Sequence, residues 1–330
     1  MGCLAVKPLI AVEGLHMAFA RPRSALDRLA PQPARVVRAL NGVSFTVARG
    51  ETLGIVGESG CGKSTLARCL VRLHRPQAGR IDYGGLDVLA LEGARRRDYN
   101  RRVQMVFQDP YSSLNPRLTV RQALAEAIAF HRLRQGKAVA ERIAELLDLV
   151  RLPADAAERY PHEFSGGQRQ RIGIARALAV EPECLIADEL VSALDVSVQA
   201  QIVNLLLELQ QRLQLTVLFI AHDLRLVRHI SHRVAVMYLG AIVELAETER
   251  LFGAPAHPYT AALLRAAPEL DPARRSTVEA VRGELPSPLD IPAGCPFHPR
   301  CPQAMAICRA QRPVLRERTL GQIAACHLPG

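Results

Sequence analysis

The sequence predicts an α/β fold in which helices cover a mostly parallel sheet. Residues 54–73 form a pattern of a short apolar strand, a glycine-rich loop and a helix with one leucine-rich face. Strands and helices then alternate from residue 184 to residue 238, which is typical of parallel sheets. Two amphipathic helices within residues 119–150 interrupt this pattern, and the strand-like segments 9–19 and 44–48 indicate an antiparallel N-terminal layer.

The composition is that of a folded protein with a substantial core. Of its 330 residues, 49% are hydrophobic and 22% charged, which excludes disorder of the whole chain. The net charge of +10 permits an acidic partner, although a solvated arginine-rich surface is the favoured explanation. Aromatic residues make up 4% and tryptophan is absent, so we expect no nucleic-acid partner that relies on base stacking.

The hydropathy pattern predicts a protein that meets a membrane only through a partner. No apolar run approaches the length that spans a bilayer, and the first residues do not resemble a secretory signal. We therefore expect the chain to stay in the cytoplasm.

Four segments are expected along the chain. An α/β core falls into two parts, residues 1–108 and 181–265, with a helical subdomain of residues 109–180 inserted between them. A polar, proline-rich linker then leads into a small cysteine-rich C-terminal extension. Linker and extension together cover residues 266–330.

The loop after the first buried strand fits the phosphate-binding pattern G-x-x-x-x-G-K-[ST]. Its glycines allow backbone N–H groups to turn inward, and the following helix points its N-terminus at the same place. A glycine-rich turn with a solvated lysine is the alternative, which the strand–loop–helix context disfavours. Lys63 would contact the β- and γ-phosphates and Ser64 would bind Mg²⁺. The predicted ATP-binding residues of the loop are Gly57, Glu58, Ser59, Gly60, Cys61, Gly62, Lys63, Ser64 and Thr65.

Three other strand ends carry polar side chains suited to ATP hydrolysis. One buried strand is followed by Asp188, a predicted Mg²⁺ ligand, and Glu189, the predicted general base. Another is followed at once by His222, which would reach the γ-phosphate, and Gln108 ends a third, where its amide would touch Mg²⁺ and water. Any one of these could be a solvated polar residue. Together they suit one site, because the carboxyl ends of parallel strands meet at one sheet edge. The predicted catalytic residues are Glu189, His222, Gln108 and Lys63.

Residues 164–171 read F-S-G-G-Q-R-Q-R, and this stretch carries a family resemblance. With the phosphate loop and strand ends in the same order, residues 9–265 resemble the ABC-type ATPases, whose signature is usually L-S-G-G-Q. The resemblance implies the P-loop NTPase fold of the ABC ATPase core and matches Gln108 to the Q-loop and His222 to the switch histidine. Phe19 is the best match to the aromatic residue that stacks on adenine.

The same resemblance implies a head-to-tail dimer around ATP. The signature would begin a helix with Ser165 as its N-cap, an anion site with no phosphate of its own. Leu190 stands where the family usually has proline, so we expect a changed turn there and an intact base. The permease contact is expected near Gln108 and residues 109–120. Residues that would touch the ATP held by the partner subunit are Ser165, Gly166, Gly167, Gln168 and, in the D-loop, Asp195.

Further stretches resemble the ATPases of dipeptide and oligopeptide importers, in particular the second, F-type subunit. They are residues 57–65, 107–116, 160–177, 237–244 and 257–260. This resemblance implies ATP and Mg²⁺ as ligands, two permease subunits, a sister ATPase as heterodimer partner and an extracytoplasmic solute-binding protein. It also implies a peripheral location on the cytoplasmic face of the inner membrane. Nickel and glutathione importers lie close by and remain alternatives.

Four cysteines crowd the C-terminal extension: Cys295, Cys301, Cys308 and Cys326. Four thiolates suit a [4Fe–4S] cluster or a tetrahedral zinc ion, and unmetallated structural cysteines are a third possibility. The spacing is not that of a paired CxxC zinc ribbon. The resemblance to peptide-importer ATPases implies the [4Fe–4S] cluster.

Two other functions compete with that of a transport motor. ABC ATPases that act on nucleic acid or ribosomes usually carry two cassettes, long coiled coils or zinc insertions, and this sequence contains none of them. A metal-binding regulator that uses ATP only as a ligand would need a damaged catalytic set. Glu189 and His222 are both present, which favours a hydrolysing motor.

Overall fold

A computed structural model describes residues 7–20, 36–108, 114–192, 194–266 and 283–329. Within these ranges no helix is long and apolar enough to cross a membrane. The strands are β1 (Ile10–Ala20), β2 (Val36–Val47), β3 (Thr52–Val56), β4 (Ala78–Tyr83), β5 (Leu86–Asp87), β6 (Val103–Val106), β7 (Cys184–Asp188), β8 (Thr216–Ile220), β9 (Arg233–Tyr238), β10 (Ala241–Glu247), β11 (Arg316–Thr319) and β12 (Gln322–Ala324). The helices are α1 (Lys63–Leu70), α2 (Gly93–Arg102), α3 (Val120–Phe130), α4 (Lys137–Leu149), α5 (Gly166–Leu178), α6 (Val196–Leu213), α7 (Leu224–Ile230), α8 (Thr248–Gly253), α9 (Pro258–Ala266) and α10 (Ala306–Ala310).

The chain divides into two compact units, each discontinuous in sequence. The first unit comprises Met1–Val47, Leu53–Leu89 and His222–Gly330, and the second comprises Ala48–Thr52 and Ala90–Ala221. The segment boundaries expected from the sequence stay predictions. Most of the expected linker, through residue 282, lies outside the described residues, and so do residues 109–113 of the expected permease contact.

The first unit contains the antiparallel layer that the sequence predicts. Strands β2, β1, β4 and β5 lie side by side in that order, and Ile10 of β1 stands opposite both Val47 and Tyr83. The unit also contains the strand order β11-β12-β10-β9-β3. Here β3 runs parallel to β9, with Leu53 opposite Arg233, and leads directly into the phosphate loop.

The second unit contains a parallel sheet in the order β8-β7-β6. Cys184 of β7 stands opposite Val103 on one side and Thr216 on the other, and every residue of β7 is buried. Helices α3 and α4 are the two amphipathic helices predicted from the sequence. Each buries an apolar stripe, which includes Leu124 in α3 and Leu147 in α4. The mixed α/β fold class is therefore confirmed.

The C-terminal extension contributes strands that the sequence did not predict. Strand β12 pairs antiparallel with β10, with Ala324 opposite Glu244. The side chain of Glu244 is fully buried, and it accepts hydrogen bonds from the backbone N–H groups of Ala256 (2.8 Å) and His257 (2.9 Å) and from Nε2 of Gln322 (2.8 Å). These donors satisfy a buried carboxylate, and the one from Gln322 holds the extension to β10.

Candidate active site

The phosphate loop has backbone conformations that require glycine. Gly57, Gly60 and Gly62 have φ angles of 153°, 78° and 107°, in the region that side chains disfavour. A Cβ on Gly57 would overlap the carbonyl oxygen of Met237, and one on Gly62 would overlap that of Ala39. The glycines of the motif are therefore demanded by local geometry as well as by phosphate binding.

Lys63 begins α1 and is folded back over the loop. It is 4% exposed, and its Nζ donates hydrogen bonds to the carbonyl oxygens of Gly57 (2.8 Å) and Glu58 (3.2 Å). The ammonium charge therefore lies at the loop that would hold the phosphates. Cys61 is buried there too, and burial raises the pKa of its thiol, which disfavours a reactive thiolate.

A cavity of about 400 Å³ opens beside the loop. His222 lines it together with the loop, so the structure brings together two predicted parts of the site. Asp223 fixes the chain after His222 by capping α7, where its carboxylate accepts from the N–H of Arg225 (2.8 Å). Burial alone would raise the pKa of Asp223, but the hydrogen bonds from Arg225 hold it below its ordinary value. The lining residues are Val56, Gly57, Glu58, Ser59, His222, Asp223, Leu224, Arg225, Leu263 and Ala266.

In the second unit the predicted base meets the predicted Q-loop glutamine. Nε2 of Gln108 donates a hydrogen bond of 2.8 Å to Oε2 of Glu189. The backbone N–H of Glu189 donates to the carbonyl oxygen of Ile220 (3.0 Å), which ties the base to the end of β8. Asp188, the last residue of β7, is 2% exposed. The structure thus places Gln108, Asp188 and Glu189 at one edge of this sheet.

The turn after β7 carries backbone strain. Glu189 has a φ of 47°, in the left-handed region that costs a side chain about 1 kcal/mol or more. Ser192 stabilises the turn, because its N–H (3.1 Å) and its hydroxyl (3.0 Å) both donate to the carbonyl oxygen of Glu189. Leu190 is 2% exposed, so an apolar side chain occupies the position where proline is usual. The changed turn expected there stays a prediction.

Ser165 is the N-cap of α5, as the sequence predicts. Its hydroxyl accepts from the N–H of Gln168 (3.3 Å), and the side-chain oxygen of Gln168 accepts from the N–H of Ser165 (3.0 Å). This capping box fixes the helix start by satisfying two backbone donors reciprocally. The signature segment is therefore a capped helix N-terminus.

The signature glycines and the D-loop aspartate lie against α6 and the turn before it. A Cβ on Gly166 would come within 3.1 Å of Leu194, and one on Gly167 within 2.5 Å of Val198. Asp195 is the N-cap of α6, yet among the described residues its exposed side chain makes no capping hydrogen bond. Asp195 thus begins the helix against which Gly167 packs.

Phe19, the predicted adenine platform, lies at the end of β1. Its ring is half-buried and packs edge-on against His74, with ring centroids 5.2 Å apart. Both residues belong to the first unit, which also holds the phosphate loop. Adenine stacking on Phe19 stays a prediction.

Known proteins match this chain closely. Residues 40–192 match the model of the ABC transporter family, and residues 243–308 match the C-terminal region of oligopeptide/dipeptide transporters. The chain is 56% identical over 293 residues to the probable peptide ABC transporter ATP-binding protein y4tS of Sinorhizobium fredii, covering 89% of this chain and 83% of that protein. It is also 52% identical over 297 residues to the oligopeptide transport ATP-binding protein AppF of Bacillus subtilis, covering 88% and 90%. The chain belongs to the ABC transporter ATP-binding family.

Solved structures agree with this ABC assignment. The dimeric structure of an ATP-binding cassette bound to ADP and Pi has a TM-score of 0.62, 26% identity and coverage of 72% of this chain and 98% of that one. The structure of cbiO1 from Clostridium perfringens has the same TM-score at 25% identity, covering 75% and 91%. The chain is therefore an ABC ATPase, the ATP-hydrolysing subunit of a membrane-associated transporter, and the predicted enzyme class is confirmed.

The ABC ATPase gathers its four C-terminal cysteines in one region. Gly294 has a φ of 68°, and a Cβ there would overlap the carbonyl oxygen of Cys308, which accepts from the N–H of Cys295 (2.7 Å). Burial raises the pKa of Cys295 to about 11, and the thiols of Cys308, Cys326 and Cys301 add to this rise. Among the described residues, however, no group of three or more His, Cys, Asp or Glu side chains is arranged to hold a metal ion.

Sequence reasoning missed two residues that support the phosphate loop. The N–H of Glu58 donates to Oη of Tyr259 (3.0 Å), and the guanidinium of Arg300 pairs with the Glu58 carboxylate. Tyr259 lies in the H-P-Y-T stretch that resembles peptide-importer ATPases, but that resemblance assigned it no role. Arg300 lies in residues 294–302, which resemble the C-terminal extension of those ATPases, and it too was assigned no role.

Proposed function

We propose that this ABC ATPase powers the import of dipeptides or oligopeptides. The observation that carries the proposal is the match of residues 243–308 to the oligopeptide/dipeptide transporter C-terminal region. Two relatives more than 50% identical also bear peptide-transport names. The subunit would work on the cytoplasmic face of the inner membrane with two permease subunits, and a solute-binding protein would deliver the peptide.

The loop and the strand ends would divide the hydrolytic work. Lys63 and the loop N–H groups would bind the β- and γ-phosphates. Glu189, oriented by Gln108, would take a proton from the water that attacks the γ-phosphorus, while the bond to the β-phosphate oxygen breaks and ADP leaves. Ser64, Gln108 and Asp188 offer the oxygen ligands that Mg²⁺ prefers, and Mg²⁺ would neutralise phosphate charge.

A second subunit would complete the ATP site. We infer that Ser165 to Gln168 and Asp195 close over the ATP held by a sister ATPase, because α5 presents a helix N-terminus that suits an anion. Co-expression of this chain with a tagged candidate sister subunit, in the presence of ATP, tests the heterodimer. Recovery of a one-to-one complex supports it, and recovery of this chain alone as a homodimer contradicts it.

Uptake of labelled solutes tests the substrate. Cells lacking the gene are complemented with the wild-type chain or with Glu189→Gln, which is expected to fold without hydrolysing ATP. Restored uptake of a labelled dipeptide or oligopeptide by the wild-type chain only is the expected result. Restored uptake of nickel or glutathione without peptide uptake would move the assignment to those importers.

We also propose that Cys295, Cys301, Cys308 and Cys326 hold a [4Fe–4S] cluster. The thiols of Cys301, Cys308 and Cys326 raise the pKa of Cys295, so the four cysteines lie near one another, as a four-thiolate ligand set requires. The constrained backbone at Gly294 supports a preformed loop for such a group. The cluster would stabilise the extension or respond to oxidants.

Metal analysis of protein purified without oxygen tests the cluster. About four irons and four sulfides per chain, with a visible absorption band, are expected. Cys301→Ser should lose them, whereas Cys69→Ala, at a cysteine distant in sequence, should keep them. Stoichiometric zinc, or no metal in the wild-type chain, would refute the proposal.

A further inference from the structure

A partly buried ion pair joins the C-terminal extension to the phosphate loop. Nη1 and Nη2 of Arg300 donate hydrogen bonds of 2.7 Å and 2.8 Å to the two carboxylate oxygens of Glu58. The side chain of Arg300 is 5% exposed and that of Glu58 is 24% exposed. Such two-point contacts between a guanidinium and a carboxylate fix geometry as well as charge.

Every polar group of Glu58 has a partner in the same unit. Its N–H donates to Tyr259 (3.0 Å), its carbonyl oxygen accepts from Lys63 (3.2 Å), and its carboxylate accepts from Arg300. Lys63 is the residue expected to contact the β- and γ-phosphates. The arrangement at Glu58 therefore bears directly on the position of that lysine.

Arg300 is held in turn by aromatic side chains. Its guanidinium lies 5.9 Å from the ring centroid of Tyr238. The rings of Tyr238, Tyr259 and Phe297 pack together, with centroids 4.6 to 5.4 Å apart. These contacts restrict the side chain of Arg300, so a shift of the extension would also shift its guanidinium.

The carboxylate charge of Glu58 links this ion pair to ATP binding. Glu58 is the second residue of the phosphate loop, and an unpaired carboxylate there would repel the phosphates of ATP. Arg300 neutralises that carboxylate and holds it to one side. We propose that Arg300 is a positioning residue for ATP binding, through which the C-terminal extension sets the affinity of the phosphate loop. This proposal does not require a metal at the cysteines.

Steady-state ATP hydrolysis by the assembled transporter, with nucleotide titration of the purified full chain, tests the proposal. Arg300→Ala should raise the KM and the Kd for ATP roughly tenfold, within the range typical of coupling between two sites. The kcat at saturating ATP should stay unchanged, because Glu189 is untouched. Arg309→Ala, an exposed arginine in the same extension, is the matched control and should change neither constant.

A double-mutant cycle identifies the route of the effect. When Glu58→Gln has already removed the carboxylate charge, Arg300→Ala should weaken ATP binding by less than twofold. An equal loss in both backgrounds would overturn the proposal, as would an unchanged KM in Arg300→Ala. A fall in kcat with unchanged KM would show that Arg300 matters only for folding.

Arg300→Lys serves if the alanine variant does not fold. Lysine keeps the charge but loses the two-point contact, so the KM should rise about two- to fivefold. Introducing Glu58→Gln should abolish that rise. A KM that is unchanged in the lysine variant, or a rise that persists with Glu58→Gln, contradicts the positioning role.

Discussion

The phosphate loop before α1 and the signature segment at the start of α5 are both glycine-rich helix N-termini, but their glycines serve different purposes. Gly57 and Gly62 have left-handed φ angles, and any Cβ there would strike a backbone carbonyl. Gly166 and Gly167 have ordinary helical positions, and a Cβ there would meet only the side chains of neighbouring residues. In one region glycine permits a backbone conformation, and in the other it leaves room for a close approach.

The two helix starts also treat their backbone donors differently. Helix α1 begins after Gly62, which has no side chain to cap it, and Lys63 adds a positive charge. Helix α5 begins at Ser165, whose hydroxyl already accepts from Gln168. A strong anion site thus belongs to the first region, whereas the second offers a pre-shaped surface that a phosphate from elsewhere would complete.

The largest expected effect concerns hydrolysis in the second unit. Glu189→Gln should lower ATP hydrolysis about 10²- to 10⁴-fold, because it removes the general base, while ATP binding at the phosphate loop persists. Phosphate release measures ATP hydrolysis, and nucleotide titration measures ATP binding. Size-exclusion chromatography with ATP should show a trapped dimer. Glu208→Gln, an exposed carboxylate in the same unit, is the control. Undiminished turnover would remove Glu189 as the base.

Loss of the loop lysine should affect binding itself. Lys63→Ala should weaken ATP binding about 100-fold, because a charged hydrogen-bond donor to phosphate contributes about 3 kcal/mol. Titration with a fluorescent ATP analogue measures this, and Lys137→Ala, whose side chain is 92% exposed, should bind normally. An unchanged Kd would refute the phosphate-loop assignment.

Alanine substitution distinguishes the glycines of the phosphate loop from those of the signature segment. Gly62→Ala should destabilise the chain by about 2 kcal/mol, because its φ is left-handed and the Cβ overlaps a carbonyl. Gly166→Ala should cost less than about 0.5 kcal/mol, since it lies in a helix and its Cβ meets only the flexible end of Leu194. Thermal unfolding of the purified chain compares them. Equal losses would contradict the comparison.

The capping box is expected to contribute less to stability than the glycine at position 62. Ser165→Ala should lower the free energy of unfolding by about 1 kcal/mol, the usual value of an N-cap. Ser165→Asp should retain that stability, since aspartate also caps helices, but place a negative charge where the partner's ATP is expected. Ser165→Asp should therefore unfold at the wild-type temperature but hydrolyse ATP more slowly than the wild-type chain. Full hydrolysis in that variant would argue against a phosphate at the signature segment.

Much of the candidate site could be predicted because its signals are local. The phosphate loop, the carboxylates after β7 and the Ser165 cap each depend on a few consecutive residues. The strand pairing of the extension could not be predicted, because β10 and β12 are joined by long-range contacts such as those of Glu244 and Gln322.

The sequence by itself determined the ABC motifs, their order and the elements that carry them, since backbone conformation and capping are set by neighbouring residues. Only the tertiary structure decided which distant side chains meet. Gln108 and Glu189 are 81 residues apart, and Glu58 and Arg300 are 242 apart. No local pattern encodes such pairs, because they depend on how whole strands and loops pack.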